Sequence, residues 1–375
     1  MNSAVIKTLS LLLMIVIGFL LRNKIKSKDQ KEGIKTLILS LALPATIFIA
    51  LLKIEFEPSM IFVPVLALGF NLILFLLVDK LPLQSVFNVP ESQYRAAILL
   101  LPSLAPGLSC FPFILEYSGE LPFAMAALGD IGNKIFVLII AYLIAMKWYF
   151  KNHASTERAG KSKLKDLFKA LVEEPVNLVI VTAIIMLSLG LNFDSLPGFI
   201  TMNIDRLSVI MTPLVLLFIG ISMKLTRQQA KIILSFLFFR SGIAFLLSSI
   251  LLVLLPVQDA AIVLLIVVFP QSACSFWPFA HMASISELER RSDVAEKSRI
   301  FDLEFAMNIL ACSLPFSVIL VLAVYSSGTL FTSTSNLFIC SGIFLTLASI
   351  PIFSKARFIK TYKTKVIEVL RSISM

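Results

Sequence analysis

The stretch from Leu99 to Phe113, LLLPSLAPGLSCFPF, constrains this chain more than any other. It is apolar enough to lie inside a membrane, yet it carries Pro102, Pro106, Gly107 and Pro112. Proline has no N–H to give a helix, and its ring clashes with the preceding turn, so no continuous helix tolerates this density. Inside lipid, irregular backbone survives only where protein or a water-filled cavity surrounds it. The same device returns downstream as PQSACSFWPF, Pro270 to Phe279. Two interrupted apolar segments at corresponding places in two halves are a pointer to the binding site of a secondary transporter.

The rest of the chain has the composition that this requires. Of 375 residues, 58% are hydrophobic and 15% charged, against about 45–50% and about 25% in ordinary soluble domains. Apolar runs near the bilayer-crossing length of about 20 residues recur from end to end. We read eleven spans: 4–21, 34–52, 60–78, 95–115, 122–146, 174–191, 207–223, 230–255, 259–283, 303–325 and 336–352. The expected fold is an all-α integral membrane bundle. The N-terminus lacks a basic region and a small-residue cleavage motif, so span 1 reads as retained. Cys110, Cys274, Cys312 and Cys340 all fall in apolar runs and read as free thiols. The two histidines, His153 and His281, are too few and too far apart to suggest a metal site.

Orientation follows from lysine and arginine. Of the 33 basic residues, 28 lie in 22–35, 79–95, 147–172, 224–231, 284–301 and 353–375. The opposite face collects Lys7, Lys53 and Arg206, and Lys134 and Arg240 fall within spans. The N-terminus is therefore expected outside and the C-terminus in the cytoplasm, in a multi-pass protein of the plasma or inner membrane. The net charge of +10 faces anionic lipid, and no nucleic-acid partner is read from it.

An odd number of spans per half inverts the second half relative to the first. We read a first five-span repeat over 1–146, a cytoplasmic linker over 147–173 and an inverted repeat over 174–325. An extra span and a basic tail occupy 326–375. Matching features run in the same order: Pro44 in span 2 with Pro213 in span 7, interrupted spans 4 and 9, and Asp130 with Asn133 in span 5 against Asp302 with Asn308 in span 10.

Pro106 lies eleven residues after Arg95, and Pro270 eleven after Asp259, each roughly 16 Å into its span at about 1.5 Å per residue. A helix that restarts at such depth presents unpaired N–H groups and the positive end of its dipole. Two such ends make an anion-receptive spot. Candidate substrate residues are Pro106, Gly107, Ser109 and Cys110 on one side, with Pro270, Gln271, Ser272 and Ser275 on the other. Asp130 and Lys134 stand one helical turn apart. They read either as a neutralising pair or, with Asn133, as a site for a coupling proton or Na+. Arg240 has no acidic neighbour in sequence and reads either as substrate counter-charge or as partner of Asp130 or Glu116. No other cofactor and no metal is expected.

At LLLMIVIGFLLR in span 1, LILSLALPATIFIALL in span 2, FPFILEYSGELPFAMAALGDIGNKIFV in spans 4 and 5 and PLVLLFIGISMKL in span 7, the chain resembles the auxin efflux carrier family. That group includes plant PIN-type auxin exporters and bacterial malate and malonate carriers, and the likeness covers most of residues 1–320. It implies a five-plus-five inverted repeat with crossed broken helices in spans 4 and 9. Spans 1, 2, 6 and 7 would form a scaffold, and spans 3–5 and 8–10 an elevator-like moving unit. It further implies organic-anion cargo, commonly weak carboxylic acids, and a homodimer. Where the family often has asparagine and glycine before the crossover proline, this chain has LPSLAPGLSC, so a substrate contact is either missing or replaced by Ser109. An organic-anion carrier is thus the expected function. A transporter-like sensor or channel is the alternative, and a multi-span acyltransferase lacks the proton-handling residues that it needs.

Overall fold

The computed structural model describes residues 3–53, 60, 62–152, 175–222, 229–255, 257–291 and 299–350. Among them every regular element is helical. Seven helices are long and apolar enough to cross a membrane, and three shorter apolar ones, Leu9–Leu21, Pro175–Ser188 and Thr334–Ile350, accompany them. Of the eleven spans, the one left is span 4, in the pieces Glu91–Leu100, Pro106–Ser109 and Phe111–Ser118. Most of the linker lies outside the described residues (153–174), as does the basic tail from 351 onward; Lys147 to Asn152 continue the helix of span 5.

Span 2 shows how the sequence sets local shape. Ser27 and Gln30 form a reciprocal cap at the helix start, satisfying two of the orphan donors there. Pro44 cannot donate to the turn before it, and the helix widens to a π turn over Ile38–Ala42 before continuing as Leu43–Lys53. Such π turns are frequent at functional sites.

Span 1 packs on span 7, span 2 on spans 6 and 7, span 3 on span 5 and span 8 on span 10. Lipid gives apolar helices no hydrophobic reason to associate, so close backbone approach at small residues becomes decisive. A Cβ on Gly220 would stand 2.1 Å from the Ile15 carbonyl oxygen, and one on Gly18 2.3 Å from that of Leu217. In span 5, a Cβ on Gly132 would stand 1.9 Å from the Pro64 oxygen of span 3. These obstacles are backbone, which cannot rotate away. Gly220→Val should therefore destabilise the protein by about 3 kcal/mol, at the upper end for overpacking. Gly69→Val, at a helix position with open space around it, should leave the thermal unfolding midpoint in detergent within a degree or two.

Candidate functional site

The helix of span 4 stops at Leu100 and resumes at Pro106, while that of span 9 ends at Val268, passes through a 3₁₀ turn at Phe269–Gln271 and resumes at Phe276. The two non-helical segments lie against each other. Ala105 donates its N–H to the Ala273 carbonyl at 2.8 Å. The Ala273 N–H donates to Ser109 Oγ at 2.8 Å, and the Ser275 N–H to Ser103 Oγ at 2.9 Å. Each serine hydroxyl in turn donates backward along its own segment, Ser109 to the Ala105 carbonyl and Ser103 to that of Leu100. Cys110 approaches the Val268 carbonyl at 3.7 Å.

The amides of Ala105, Ala273 and Ser275, in the gaps ahead of the helix restarts, are thus already paired. A buried N–H away from water must find an acceptor, and the opposing segment supplies it. Ser109 is therefore a strut between the segments, its hydroxyl already engaged twice. Ser272 and Ser275 are buried with it, and Pro106, Cys110 and Pro270 are buried too. Gln271 is fully buried and donates from Nε2 to the Ser241 carbonyl at 3.3 Å. Its Oε1 and Ser241 Oγ have no hydrogen-bond partner among the described residues.

Three uncharged side chains from neighbouring spans hold the non-helical backbone. Asn133 of span 5 grips Leu104 twice, accepting its N–H at 3.0 Å and donating to its carbonyl at 2.9 Å. Asn71 of span 3 donates to the Pro102 carbonyl at 2.7 Å and to Asn133 Oδ1 at 3.0 Å. Ser313 of span 10 receives the Cys274 N–H at 3.2 Å. Asn71, Ser103 and Ser313 were not singled out from the sequence, where a lone amide or hydroxyl in an apolar run gives little signal. Asp302 and Asn308 were matched with Asp130 and Asn133, but Asp302 caps the helix of span 10 through the Phe305 N–H.

The charged residues extend the network. Asn133 donates to Asp130 at 2.8 Å, Asp130 and Lys134 pair at 3.3 Å, and Lys134 reaches Asn177 of span 6 at 3.3 Å. One polar chain thus runs from the gap in span 4 across span 5 to span 6. Arg240 is 1% exposed and meets carbonyl oxygens where a carboxylate was expected. Its Nε donates to Leu101 at 2.7 Å, and its Nη2 donates to Ser272 at 2.6 Å and to Ser103 at 3.4 Å.

The accessible surface here belongs to the helix restarts. Gly107 is partly exposed and faces the side chains of Leu39 and Leu43, beside the π turn of span 2. Phe276 and Trp277, at the start of Phe276–Arg291, are 50% and 38% exposed. Lys35 of span 2 holds its ammonium 5.1 Å from the Phe276 ring centroid and pairs with Glu32 at 2.9 Å. Among the described residues no group of three His, Cys, Asp or Glu is placed to hold a metal ion.

No family model matches the chain. Over 225 residues it is 22% identical to an uncharacterized transporter of Methanocaldococcus jannaschii, an alignment that covers 57% of this chain and 67% of that protein. With the apolar helices, that likeness supports a membrane transporter. It equally supports a transport role in place of an enzymatic one.

Proposed function

We propose that the chain is a secondary-active carrier of small organic anions, with cargo held where spans 4 and 9 meet. The observation that carries this reading is the pairing of the two non-helical segments beside an exposed helix start with a cation next to it. The first turn of Phe276–Arg291 presents the positive end of its helix dipole, and of its N–H groups that of Trp277 already donates to Ser275 Oγ at 3.4 Å. Lys35 adds a full charge, and Gly107 lies partly exposed beside the Leu39 and Leu43 side chains. Carboxylates are the chemistry that such a place favours.

In the same reading the halves form an inverted repeat, with crossed broken helices in spans 4 and 9. Spans 1, 2, 6 and 7 are the fixed frame, and the interrupted spans move with spans 3, 5, 8 and 10 as an elevator. The packing of span 1 on span 7 and span 2 on span 6 supports that division. The distribution of basic residues favours the N-terminus outside, and the motifs quoted from spans 1, 2, 4, 5 and 7 favour the auxin efflux carrier family and a homodimer. Asp130 is the group through which a coupling proton would act.

The test is uptake and exchange of labelled mono- and dicarboxylates in proteoliposomes. Saturable uptake is expected for at least one; none from a folded sample would sink the reading. Lys35→Met should weaken apparent affinity by a factor of about 2–5, the scale of a partly exposed charge contact. Glu32→Gln, which releases Lys35 from its present partner, should strengthen it. Equal affinities in both variants and the wild type would move the cargo elsewhere.

A further inference from the structure

Arg240 is the largest fully buried side chain among the described residues, and the carrier reading above gives it no task. A lone guanidinium at this depth is costly unless its surroundings stabilise it. Here the stabilising groups are carbonyl oxygens at 2.7, 2.6 and 3.4 Å, from Leu101, Ser272 and Ser103. Two belong to the gap in span 4 and one to the gap in span 9.

These oxygens lie where two helices have just ended. The last carbonyls of a helix lack intrahelical partners and carry the negative end of its dipole. Two such ends converging in a dry interior repel each other and need a positive charge between them. Carbonyl oxygens at helix ends and in unwound backbone are also what transporters use to bind Na+. The same gaps are otherwise tied by neutral donors, such as Asn71 on Pro102, so only Arg240 brings a full charge to these carbonyls among the described contacts.

We infer that Arg240 is a resident cation of this junction. Its guanidinium takes the place that an alkali ion would take among the carbonyls of Leu101, Ser103 and Ser272, so the junction needs no Na+ to form. Arg240 is thus a positioning residue that holds the two segments in register, and it is not a counter-charge for cargo. Guanidinium suits the role because its planar fork serves several acceptors at once and its charge survives burial.

The full-length protein in lipid nanodiscs gives the test, read as thermal unfolding midpoints in NaCl against equal choline chloride. The wild type should show the same midpoint in both salts. Arg240→Ala should unfold several degrees lower, and both low-millimolar guanidinium and Na+ should raise its midpoint while leaving the wild type unchanged. Equal urea should rescue nothing. Saturable stabilisation of the wild type by Na+ would overturn the inference, as would an Arg240→Ala protein that is as stable as wild type or deaf to guanidinium. If Arg240→Ala yields no folded protein, Arg240→Lys and Arg240→Gln decide. Lysine keeps the charge and should stand clearly above glutamine; glutamine at or above lysine would show that hydrogen bonding alone suffices. None of these midpoints needs a cargo. If no anion entered proteoliposomes, the carrier reading would fail and the role of Arg240 would still stand or fall on its own data.

Discussion

Asn133→Leu is expected to destabilise the protein by on the order of 3–5 kcal/mol and to abolish transport. Asn133 is 1% exposed and sits at a four-way polar contact. It satisfies both backbone groups of Leu104 and meets Asn71 and Asp130. Leucine matches its size but leaves the Leu104 N–H and carbonyl unpaired in a place that water does not reach. Each orphaned buried group costs about 1–3 kcal/mol, and the segment would relax in part, so the sum falls short of simple addition. Asn133→Asp separates acceptor from donor. It keeps an oxygen for the Leu104 N–H, removes the donor to the Leu104 carbonyl and brings a second carboxylate to Asp130, where Asn133 Nδ2 now lies 2.8 Å from Oδ1. Unfolding in detergent and transport in proteoliposomes should both place Asn133→Asp at or below Asn133→Leu. An aspartate variant close to wild type would show that the grip on Leu104 contributes little.

The features that could be read from the sequence are those with a local physical signature. Apolar runs placed eleven spans, and among the described residues those stretches are mostly helical, seven of them in helices long enough to cross a membrane. Proline density pointed to Pro106–Pro112 and Pro270–Pro278; the backbone is non-helical at 101–105 and 272–275, so Pro106, Pro112 and Pro278 fall within the first turns of the helices that follow. Partners across the bundle have no such signature. Nothing near Arg240 in the chain announces that its acceptors are carbonyls 139 and 32 residues away. Ser103 lay in full view within LPSLAP, yet a serine beside prolines looks the same whether it faces its own helix or bridges to Ser275. Lys35 was counted with the inner-face charge, since its place beside Phe276 depends on how span 2 runs past span 9. Asn71 and Asn177 were passed over as single amides in apolar helices. Their role appears only once spans 3, 5 and 6 are seen side by side.

Lys134→Met should cost about 3–5 kcal/mol, and adding Asp130→Asn should recover most of that loss. The pair is 3.3 Å apart with each side chain about nine-tenths buried. Removing one partner of a buried ion pair strands the other charge, whereas replacing both removes the desolvation cost together with the attraction. A double-mutant cycle on unfolding free energies should therefore give a large coupling between the two positions; additive losses would show that the charges act independently. Transport by the double variant then separates the two readings of Asp130. If the pair only neutralises charge inside the bundle, the Asp130→Asn, Lys134→Met protein should move cargo near the wild-type rate and still respond to a pH gradient. If Asp130 carries the coupling proton, the same folded protein should exchange anions between identical pools but fail to accumulate them against a gradient. The bond from Lys134 to Asn177 sharpens the distinction. It joins span 5 to span 6, elements that the proposed elevator would slide past each other, so in that reading it would break in every cycle. Asn177→Leu, with the ion pair intact, should thus change the rate of exchange while leaving the pH response as it was.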